Sequence, residues 1–281
     1  MAPEPDPAPA LDMPRGGPRA ARWDRLFETD KEEYIDRPDS PAACRRALRG
    51  LDRFQRLTLG YRTCARLTAA AFGPAPEPRV LELGAGCGRL SYGILRRHPT
   101  ALVTASDVNP RVVEALRAGP LGRHPRAGCA VLDATAIDAP ADAYDVAVMA
   151  MSLHHLPPAG VAALLREGTR VARTLLLVDG WRHPLCLGAV PLMFLTGGPA
   201  QAHDGVISLR KVYGAAAVRA LAGMCGAPVR VDTRFALPGY LVATATRAPH
   251  APPAVAPAAA PAAGPSPARA RRPRPRLRTR K

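Results

Sequence analysis

The sequence predicts an α/β fold: a mostly parallel seven-stranded sheet with an antiparallel last strand, preceded by a helical N-terminal extension. Across residues 79–247, short apolar segments with strand character alternate with amphipathic helical segments. This alternation is typical of a parallel sheet covered by helices on both faces. The last two strand segments are separated only by residues 234–238, which are too few for a crossover helix. These two strands are therefore expected to pair as an antiparallel hairpin.

The N-terminal extension, residues 21–78, is expected to be helical. Ser40 suits the N-cap of a helix, and Pro41 suits its first turn. Apolar residues then recur at helical spacing at Cys44, Leu48, Leu51 and Phe54. The flanking segments, residues 1–20 and 248–281, are rich in Pro and Ala and poor in large apolar side chains, so both are predicted to be disordered.

The domain that follows, residues 79–247, accounts for the whole predicted sheet. Its strands are expected at residues 79–83, 101–107, 127–132, 144–150, 173–178, 229–233 and 239–246. Its helices are expected near residues 87–98, 110–118, 157–172 and 208–225. Between strand five and the last helix lies an apolar insertion, residues 181–206, which we interpret as a substrate lid.

A glycine-rich turn after the first strand indicates a ligand site. The strand contains an acid, Glu82, and runs directly into Gly84, Gly86 and Gly88, after which a helical pattern begins. Glycines let the backbone approach a ligand closely, and the N-terminus of the helix presents free N–H groups to it. A glycine pattern alone is weak evidence, because dinucleotide-binding enzymes use a related one.

Acidic and histidine side chains at the ends of the next strands strengthen that indication. Asp107 ends strand two, Asp133 follows strand three, and the sequence His154-His155-Leu156 follows strand four. The carboxyl ends of parallel strands meet at one edge of a sheet, where a nucleoside can lie across them. Each acid alone could merely cap a turn, but three such features after a glycine turn predict a nucleoside-binding edge.

This set of residues resembles the class I S-adenosylmethionine-dependent methyltransferases over residues 79–247. The resemblance implies a Rossmann-like fold, methyltransferase activity and S-adenosylmethionine as cofactor. It also implies that the cofactor is held by Glu82, Gly84, Ala85, Gly86, Gly88, Asp107, Val108, Asp133, Ala134 and Met149.

The family pattern assigns a role to each of these positions. The turn 84–88 would face the methionine part of the cofactor, with Met149 lining that side and Glu82 beneath the loop or at the methionine amino group. Asp107 would hold the ribose and Asp133 the adenine amino group. The side chains beside the adenine would be Val108 and Ala134.

A second, weaker resemblance narrows the acceptor class. Residues 33–38 and 203–210 resemble bacterial methyltransferases of secondary metabolism, some of which accompany polyketide synthases. That resemblance implies a small-molecule acceptor of phenolic or polyketide type, methylated on oxygen or carbon. The segment Phe54-Gln55-Arg56 departs from this subfamily, in which an Asn-Arg pair would be expected there.

Histidines are the candidate general bases, because the ordinary pKa of imidazole lies near neutrality. We select His155, at the end of strand four, and His203, in the lid. For His154 and His183 a structural hydrogen bond or a helix cap is the simpler explanation. Neighbouring loop residues usually point in different directions, so at most one of the pair His154 and His155 is expected to face the acceptor.

Cysteine and histidine spacing gives no indication of a metal. None of the six cysteines forms a C-x-x-C pair, so the sequence predicts neither a zinc site nor a disulfide framework. We therefore expect no metal, and magnesium-dependent catechol chemistry is disfavoured. The N-terminus has no apolar signal segment, and the longest apolar run, 185–195, is too short to span a bilayer. A cytoplasmic location is expected.

Two other functions share parts of the pattern. A nicotinamide-dependent oxidoreductase on a related fold would normally have a wider glycine spacing. An RNA-modifying methyltransferase is suggested by the formal net charge of +16, but eight of the basic residues lie in residues 248–281, leaving +8 on the rest. Nucleic acid is therefore disfavoured as a partner. The oligomeric state is left open.

Overall fold

In a computed structural model, residues 13–37 and 39–248 are described, and they contain the predicted sheet. Its seven strands have the order β3-β2-β1-β4-β5-β7-β6. All neighbouring strands are parallel except that β7 runs antiparallel to both β5 and β6. The strands are β1 Arg79–Leu83, β2 Leu102–Asp107, β3 Ala127–Val131, β4 Tyr144–Ala150, β5 Ala172–Gly180, β6 Val229–Ala236 and β7 Tyr240–Arg247. The predicted fold class, including the final hairpin, is confirmed.

Eight α-helices accompany the sheet in the described part of the chain. They are α1 Arg22–Phe27, α2 Pro41–Leu57, α3 Gly60–Ala69, α4 Arg89–Arg97, α5 Pro110–Ala118, α6 Pro158–Val171, α7 Val190–Lys211 and α8 Ala215–Met224. The helix predicted at 208–225 is wrong as a single element. The chain leaves the helix at Val212, and Tyr213 is fully buried with its hydroxyl donating to the carbonyl of Leu156, which separates α7 from α8.

The two faces of the sheet are covered by different helices, as the strand sequences require. In β1, Val80 faces a core that includes α3 and α4, whereas Leu81 and Leu83 face a core that includes α6 and α8. Successive side chains of a strand point to opposite faces, so a strand with apolar side chains on both faces is buried on both. The parallel strands β1 to β5 have their carboxyl ends at one edge of the sheet, and the candidate site lies at that edge.

A separate helical layer lies over that edge. Helix α2 packs against α7, and the two backbones meet where a Cβ added at Gly50 would lie 2.7 Å from the Cα of Gly197. Helix α7 is kinked at Gly198, which has φ of 70°, followed by Pro199. Glycine at the crossing allows the two helices to approach closely.

The lid insertion is more helical than the sequence analysis indicated. Together with a short 3₁₀ helix, Pro184–Ala189, α7 forms a helical stretch of 28 residues. Among the described residues, this is the one helical stretch that is long enough and apolar enough to cross a membrane, judged by length and composition. The sequence predicted no bilayer-spanning segment because the apolar run 185–195 has 11 residues and is broken by Pro191. In the structure the stretch is kinked, and its buried polar residues Gln201 and Asp204 face the rest of the domain.

The predicted disorder is wrong for residues 13–20. The Arg15 guanidinium donates to the carbonyl oxygens of His154 and Lys211, at 3.0 and 2.8 Å. Composition missed this ordering because it depends on distant polar partners that the guanidinium bridges. Residues 1–12, Pro38 and 249–281 lie outside the described residues, so the expectation for the C-terminal tail stays a prediction.

A buried arginine fastens α1 to the lid. Arg182 pairs with Asp24 at 2.8 Å and with Glu28 at 3.1 Å, and it also donates to the carbonyl oxygen of Val212. Glu28 in turn accepts from the backbone N–H of Arg15 at 2.7 Å. These contacts place the start of the described chain beside the end of β5, where the functional site lies.

Candidate active site

The predicted glycine turn is present between β1 and α4. Gly84, Gly86 and Gly88 have φ values of 69°, 50° and 70°, in the left-handed region that favours glycine. At Gly88 an added Cβ would also lie 2.7 Å from a methyl carbon of Leu116. The turn therefore requires glycine for its conformation and, at Gly88, for its packing. It carries Ala85, which is buried, directly behind the exposed Gly86.

Asp107 sits at the end of β2, facing the glycine turn. One carboxylate oxygen accepts from the backbone N–H of Gly86 at 3.1 Å, and the other accepts from that of Asn109 at 3.0 Å. The next residue, Val108, is 66% exposed although it is apolar. A carboxylate next to an uncovered apolar side chain suits a ribose with its base lying on that side chain.

Asp133 and Ala134 follow β3 at the same edge. The Asp133 carboxylate accepts from the backbone N–H and the hydroxyl of Thr135, at 2.8 and 2.7 Å. Ala134 packs partly buried against the core, and Met149, near the end of β4, is buried next to Leu83 of β1. The structure thus brings the predicted cofactor residues to one edge of the sheet.

Glu82 is buried directly beneath the glycine turn. Its carboxylate accepts a hydrogen bond from the Ser91 hydroxyl on α4, and its carbonyl oxygen accepts from the Ser106 hydroxyl at 2.7 Å. Burial raises the pKa of the Glu82 carboxyl from 4.5 to about 7, although the bond from Ser91 lowers it. Glu82 is therefore placed to support the turn and to take up or release a proton near neutral pH.

A cavity, which we name the lid chamber, opens beside this edge, under α2 and α7. Its upper wall is apolar and is formed by Ile35, Ala47, Leu51, Phe54, Met193, Leu209 and Val212. Its floor is formed by the segments that follow β4 and end β5, including Met151, Asp179 and Gly180. Because Ser152, next to Met151, lies within 3.2 Å of a Cβ added at Gly84, the chamber adjoins the glycine turn.

Both histidines after β4 line the lid chamber, although neighbouring loop residues usually point in different directions. They belong to a one-turn 3₁₀ helix, Leu153–His155, in which the two rings lie 4.4 Å apart at 34°. The tight 3₁₀ helix directs both rings toward the same cavity, whereas an extended loop would direct the two rings apart.

His154 is held by a carboxylate at the end of β5. Its Nδ1 lies 2.9 Å from Asp179, which also accepts from the backbone N–H groups of His154 and Gly180. Burial tends to raise the pKa of Asp179, but His154 and these N–H donors hold it below its usual range. The ionised carboxylate therefore fixes Nδ1 of His154 as the protonated nitrogen and leaves Nε2 toward the chamber.

Two further acids complete what we name the histidine–carboxylate cluster: Glu33, Asp36, His154, His155 and Asp179. The Nδ1 of His155 lies 3.2 Å from Asp36, whose pKa is lowered by His155 in spite of its burial. Glu33 is almost fully buried, and its Oε1 lies 3.8 Å from Nε2 of His154. Burial raises the pKa of Glu33 to about 7.

The sequence analysis missed the three acids of the cluster. Glu33 and Asp36 precede the sheet by a whole helical layer, and nothing in their local pattern links them to strand ends. Asp179 ends β5, a position at which the earlier strands also carry acids, so that signal was available.

His203 and His183 lie elsewhere. His203 pairs with Asp204 at 2.9 Å and stacks on Tyr34, and Asp204 accepts from the backbone N–H of Tyr34 at 2.8 Å. His203 therefore joins the lid to the 3₁₀ helix Tyr34–Asp36, and it is absent from the described lining of the lid chamber. His183 caps the 3₁₀ helix of the lid by accepting from the N–H of Leu185.

Comparison with known proteins agrees with this geometry. Residues 80–174 match the family model described as "Methyltransferase domain". Over 127 residues the chain is 35% identical to a malonyl-[acyl-carrier protein] O-methyltransferase of Halorhodospira halophila (strain DSM 244 / SL1). In this region the chain is similar to methyltransferases, in agreement with its glycine turn and strand ends. The match covers 45% of this chain and 37% of the curated relative, so the matched part spans well under half of that relative's length.

Solved structures of methyltransferases share the fold. The plantazolicin methyltransferase BpumL, in complex with SAH, has a TM-score of 0.56 at 11% identity, covering 76% of this chain and 92% of that one. The mitomycin 7-O-methyltransferase MmcR has a TM-score of 0.55 at 19% identity, covering 80% and 65%. Human N-acetylserotonin methyltransferase, in complex with SAM, has a TM-score of 0.52 at 18% identity, covering 77% and 63%.

Proposed function

We propose that this methyltransferase transfers the methyl group of S-adenosylmethionine to a small acceptor of phenolic or polyketide type. The observation that carries the proposal is the lid chamber, which adjoins the glycine turn and combines an apolar wall with a polar floor. An acceptor with an apolar body and one ionisable oxygen, or an enol carbon, matches that division. We place the reaction in the cytoplasm and in secondary metabolism.

The cofactor is assigned to the edge formed by β1, β2 and β3. In this assignment Asp107 accepts from the ribose hydroxyls, Asp133 from the adenine amino group, and the turn 84–88 faces the methionine part. Val108 would pack on the adenine, since its side chain is uncovered. The sulfonium methyl group would then point toward the lid chamber, because Ser152 connects the turn to the chamber floor.

Methyl transfer is an in-line displacement. The acceptor oxygen or carbon attacks the methyl carbon while the carbon–sulfur bond breaks, and that electron pair stays on sulfur to give S-adenosylhomocysteine. The acceptor must lose its proton, which the cluster at the chamber floor is placed to promote. The apolar wall excludes water, and the lid aligns the acceptor with the methyl group.

We assign the acceptor-side chemistry to His155 and its neighbours, and we assign His203 to fastening the lid. His155 lines the chamber and is partly exposed, whereas His203 is engaged by Asp204 and Tyr34. We expect His155→Ala to lower the turnover by a factor of ~10²–10⁴ and to leave S-adenosylhomocysteine affinity unchanged. Turnover near that of the native enzyme across pH 6–9 in this variant would contradict the assignment.

The names of the relatives support oxygen as the acceptor atom. The curated relative and the mitomycin enzyme are both named as O-methyltransferases. The decisive experiment incubates the protein with methyl-labelled S-adenosylmethionine and a panel of phenolic and polyketide metabolites, followed by mass spectrometry. Label in a panel member, lost in Asp107→Ala, is expected. Label in RNA but in no small molecule would overturn the proposal.

A further inference from the structure

We propose that the histidine–carboxylate cluster binds one divalent transition-metal ion through His154, His155 and Glu33. The three residues offer two imidazoles and one carboxylate, and no two of their ligand atoms are more than 4.8 Å apart. This revises the expectation from sequence spacing that the protein has no metal site. Binding of the ion does not depend on the proposed function. A role of the ion in catalysis does rest on the proposed function.

The hydrogen bonds of the two histidines favour a metal site. Nδ1 of His154 is held by Asp179 at 2.9 Å, and Nδ1 of His155 lies 3.2 Å from Asp36. A histidine that binds a metal almost always donates its other ring N–H to a carboxylate or carbonyl, which fixes the tautomer and increases the basicity of the free nitrogen. Here each ring has its own carboxylate, so Nε2 is the nitrogen left for another ligand in both.

Glu33 supplies an independent observation. It is 1% exposed, and its Oε1 has no hydrogen-bond partner among the described residues. A buried carboxylate oxygen without a partner costs free energy, so its retention requires an explanation. Oε1 lies 3.8 Å from Nε2 of His154, which is too far for a hydrogen bond. A cation between these two atoms would satisfy both.

The spacing fits a bound ion after a small adjustment. Zinc–nitrogen and zinc–oxygen bonds of about 2.0–2.2 Å at tetrahedral angles place two ligand atoms about 3.4 Å apart. Glu33 and His154, at 3.8 Å, therefore need to approach each other slightly to bind one ion. His155 can make up any remaining distance, because its side chain is 27% exposed and lies at the end of a single 3₁₀ turn.

The ligand set also indicates what the ion would do. Two imidazoles and one carboxylate suit zinc or ferrous iron and leave at least one coordination position for another ligand. All three ligands line the lid chamber, so that position faces the space assigned to the acceptor. An acceptor hydroxyl bound there would have a lower pKa and would release its proton to solvent before methyl transfer.

Zinc titration of the full-length protein tests the binding. After removal of metals with a chelator, calorimetry with Zn²⁺ should show one equivalent bound, and Co²⁺ should give visible absorption typical of a tetrahedral or five-coordinate site. Glu33→Gln should weaken zinc binding at least tenfold, and Asp36→Asn, which changes only the partner of a ligand, by ~10–100-fold. His203→Gln, which alters a histidine paired with Asp204, should leave zinc affinity unchanged.

Each outcome decides the proposal. Circular dichroism and S-adenosylhomocysteine affinity establish that the variants fold. If Glu33→Gln does not fold, the zinc affinity of Asp36→Asn provides the test. Failure to bind one equivalent of zinc, or equal affinity in the native protein and both variants, would overturn the site. If zinc binds but the stripped protein methylates its acceptor at full rate, the catalytic role fails and the proposed methyl transfer stands.

Discussion

At the residue scale, Asp107 carries the assignment of the cofactor site. Its two carboxylate oxygens face the backbone N–H groups of Gly86 and Asn109, so the side chain is already oriented toward the turn. This orientation reduces the entropy lost when the carboxylate accepts ribose hydroxyls. A carboxylate in this position favours the hydroxyl groups of a nucleoside over a phosphate, because the negative carboxylate and the negative phosphate would repel each other.

We expect Asp107→Ala to weaken S-adenosylhomocysteine binding by ~1–3 kcal/mol, the loss of charged hydrogen bonds, without unfolding the protein. Titration calorimetry measures the affinity, and thermal melting checks the fold. Asp232→Ala serves as the matched control, since Asp232 is exposed on β6 at the far edge of the sheet. An affinity in Asp107→Ala equal to that of the control would remove the basis for the assignment.

Glu82 predicts a pH dependence of stability. Its folded-state pKa of about 7 lies above the unfolded value of 4.5, mainly because of burial. The native state therefore holds its proton when the unfolded state has lost it, and the free energy of unfolding falls as pH rises from about 4.5 to about 7. The full difference is about 3 kcal/mol.

Replacement of Glu82 by Gln should abolish that contribution and keep the contact with Ser91. Urea unfolding of the cofactor-free protein at a series of pH values measures it. We expect Glu82→Gln to gain stability relative to the native protein above pH 7, whereas Glu77→Gln, on the exposed surface, should not. Parallel pH profiles for the native protein and Glu82→Gln would show that the buried acid does not retain its proton.

At the element scale, the crossing of α2 and α7 holds the upper wall of the lid chamber in place. A Cβ at Gly50 would lie 2.7 Å from the Cα of Gly197. Because that Cα is a backbone atom, it cannot move away by a side-chain rotation. The crossing also brings the Arg53 guanidinium to the carbonyl oxygen of Thr196, at 3.3 Å. Close contact between two glycines is thus one of the interactions that position the lid.

We expect Gly50→Ala to destabilise the protein by ~1–3 kcal/mol through overpacking at the crossing. Gly223→Ala is the matched control, because Gly223 is also inside a helix but has open space around its Cβ position. Alanine there should be neutral or should stabilise by ~0.5–1 kcal/mol. Denaturant unfolding of the two variants measures the difference, and similar stabilities would show that the two helices separate without cost.

At the scale of the whole molecule, local patterns predicted the sheet and the helix that begins at Pro41, but they did not predict how the helical layer contacts the site. Strand boundaries followed from apolar runs such as 144–150, and the hairpin of β6 and β7 followed from a short connection. Strand ends also located Asp107 and the two histidines. These features were predictable because each depends on residues close together in the chain.

The rest of the site depends on contacts between distant segments. Glu33 lines the chamber and Asp36 contacts His155 because the described start of the chain is fastened to the lid by Arg182 and Asp204. Such ion pairs and hydrogen bonds between distant segments leave no periodic signature, so residues 13–20 were predicted to be disordered and the acids of the cluster were not predicted. The lid chamber is therefore a property of tertiary structure, whereas the strand ends to which we assign the cofactor are visible in the sequence.

A crystal structure of the protein with S-adenosylhomocysteine would test the account most directly. We expect the ribose hydroxyls at Asp107, the adenine beside Val108 and Asp133, and the sulfur directed into the lid chamber toward His154 and His155. If the sulfur faced away from the chamber, or the nucleoside lay elsewhere than at the ends of β1 to β3, the central claim that the chamber receives the acceptor would be contradicted.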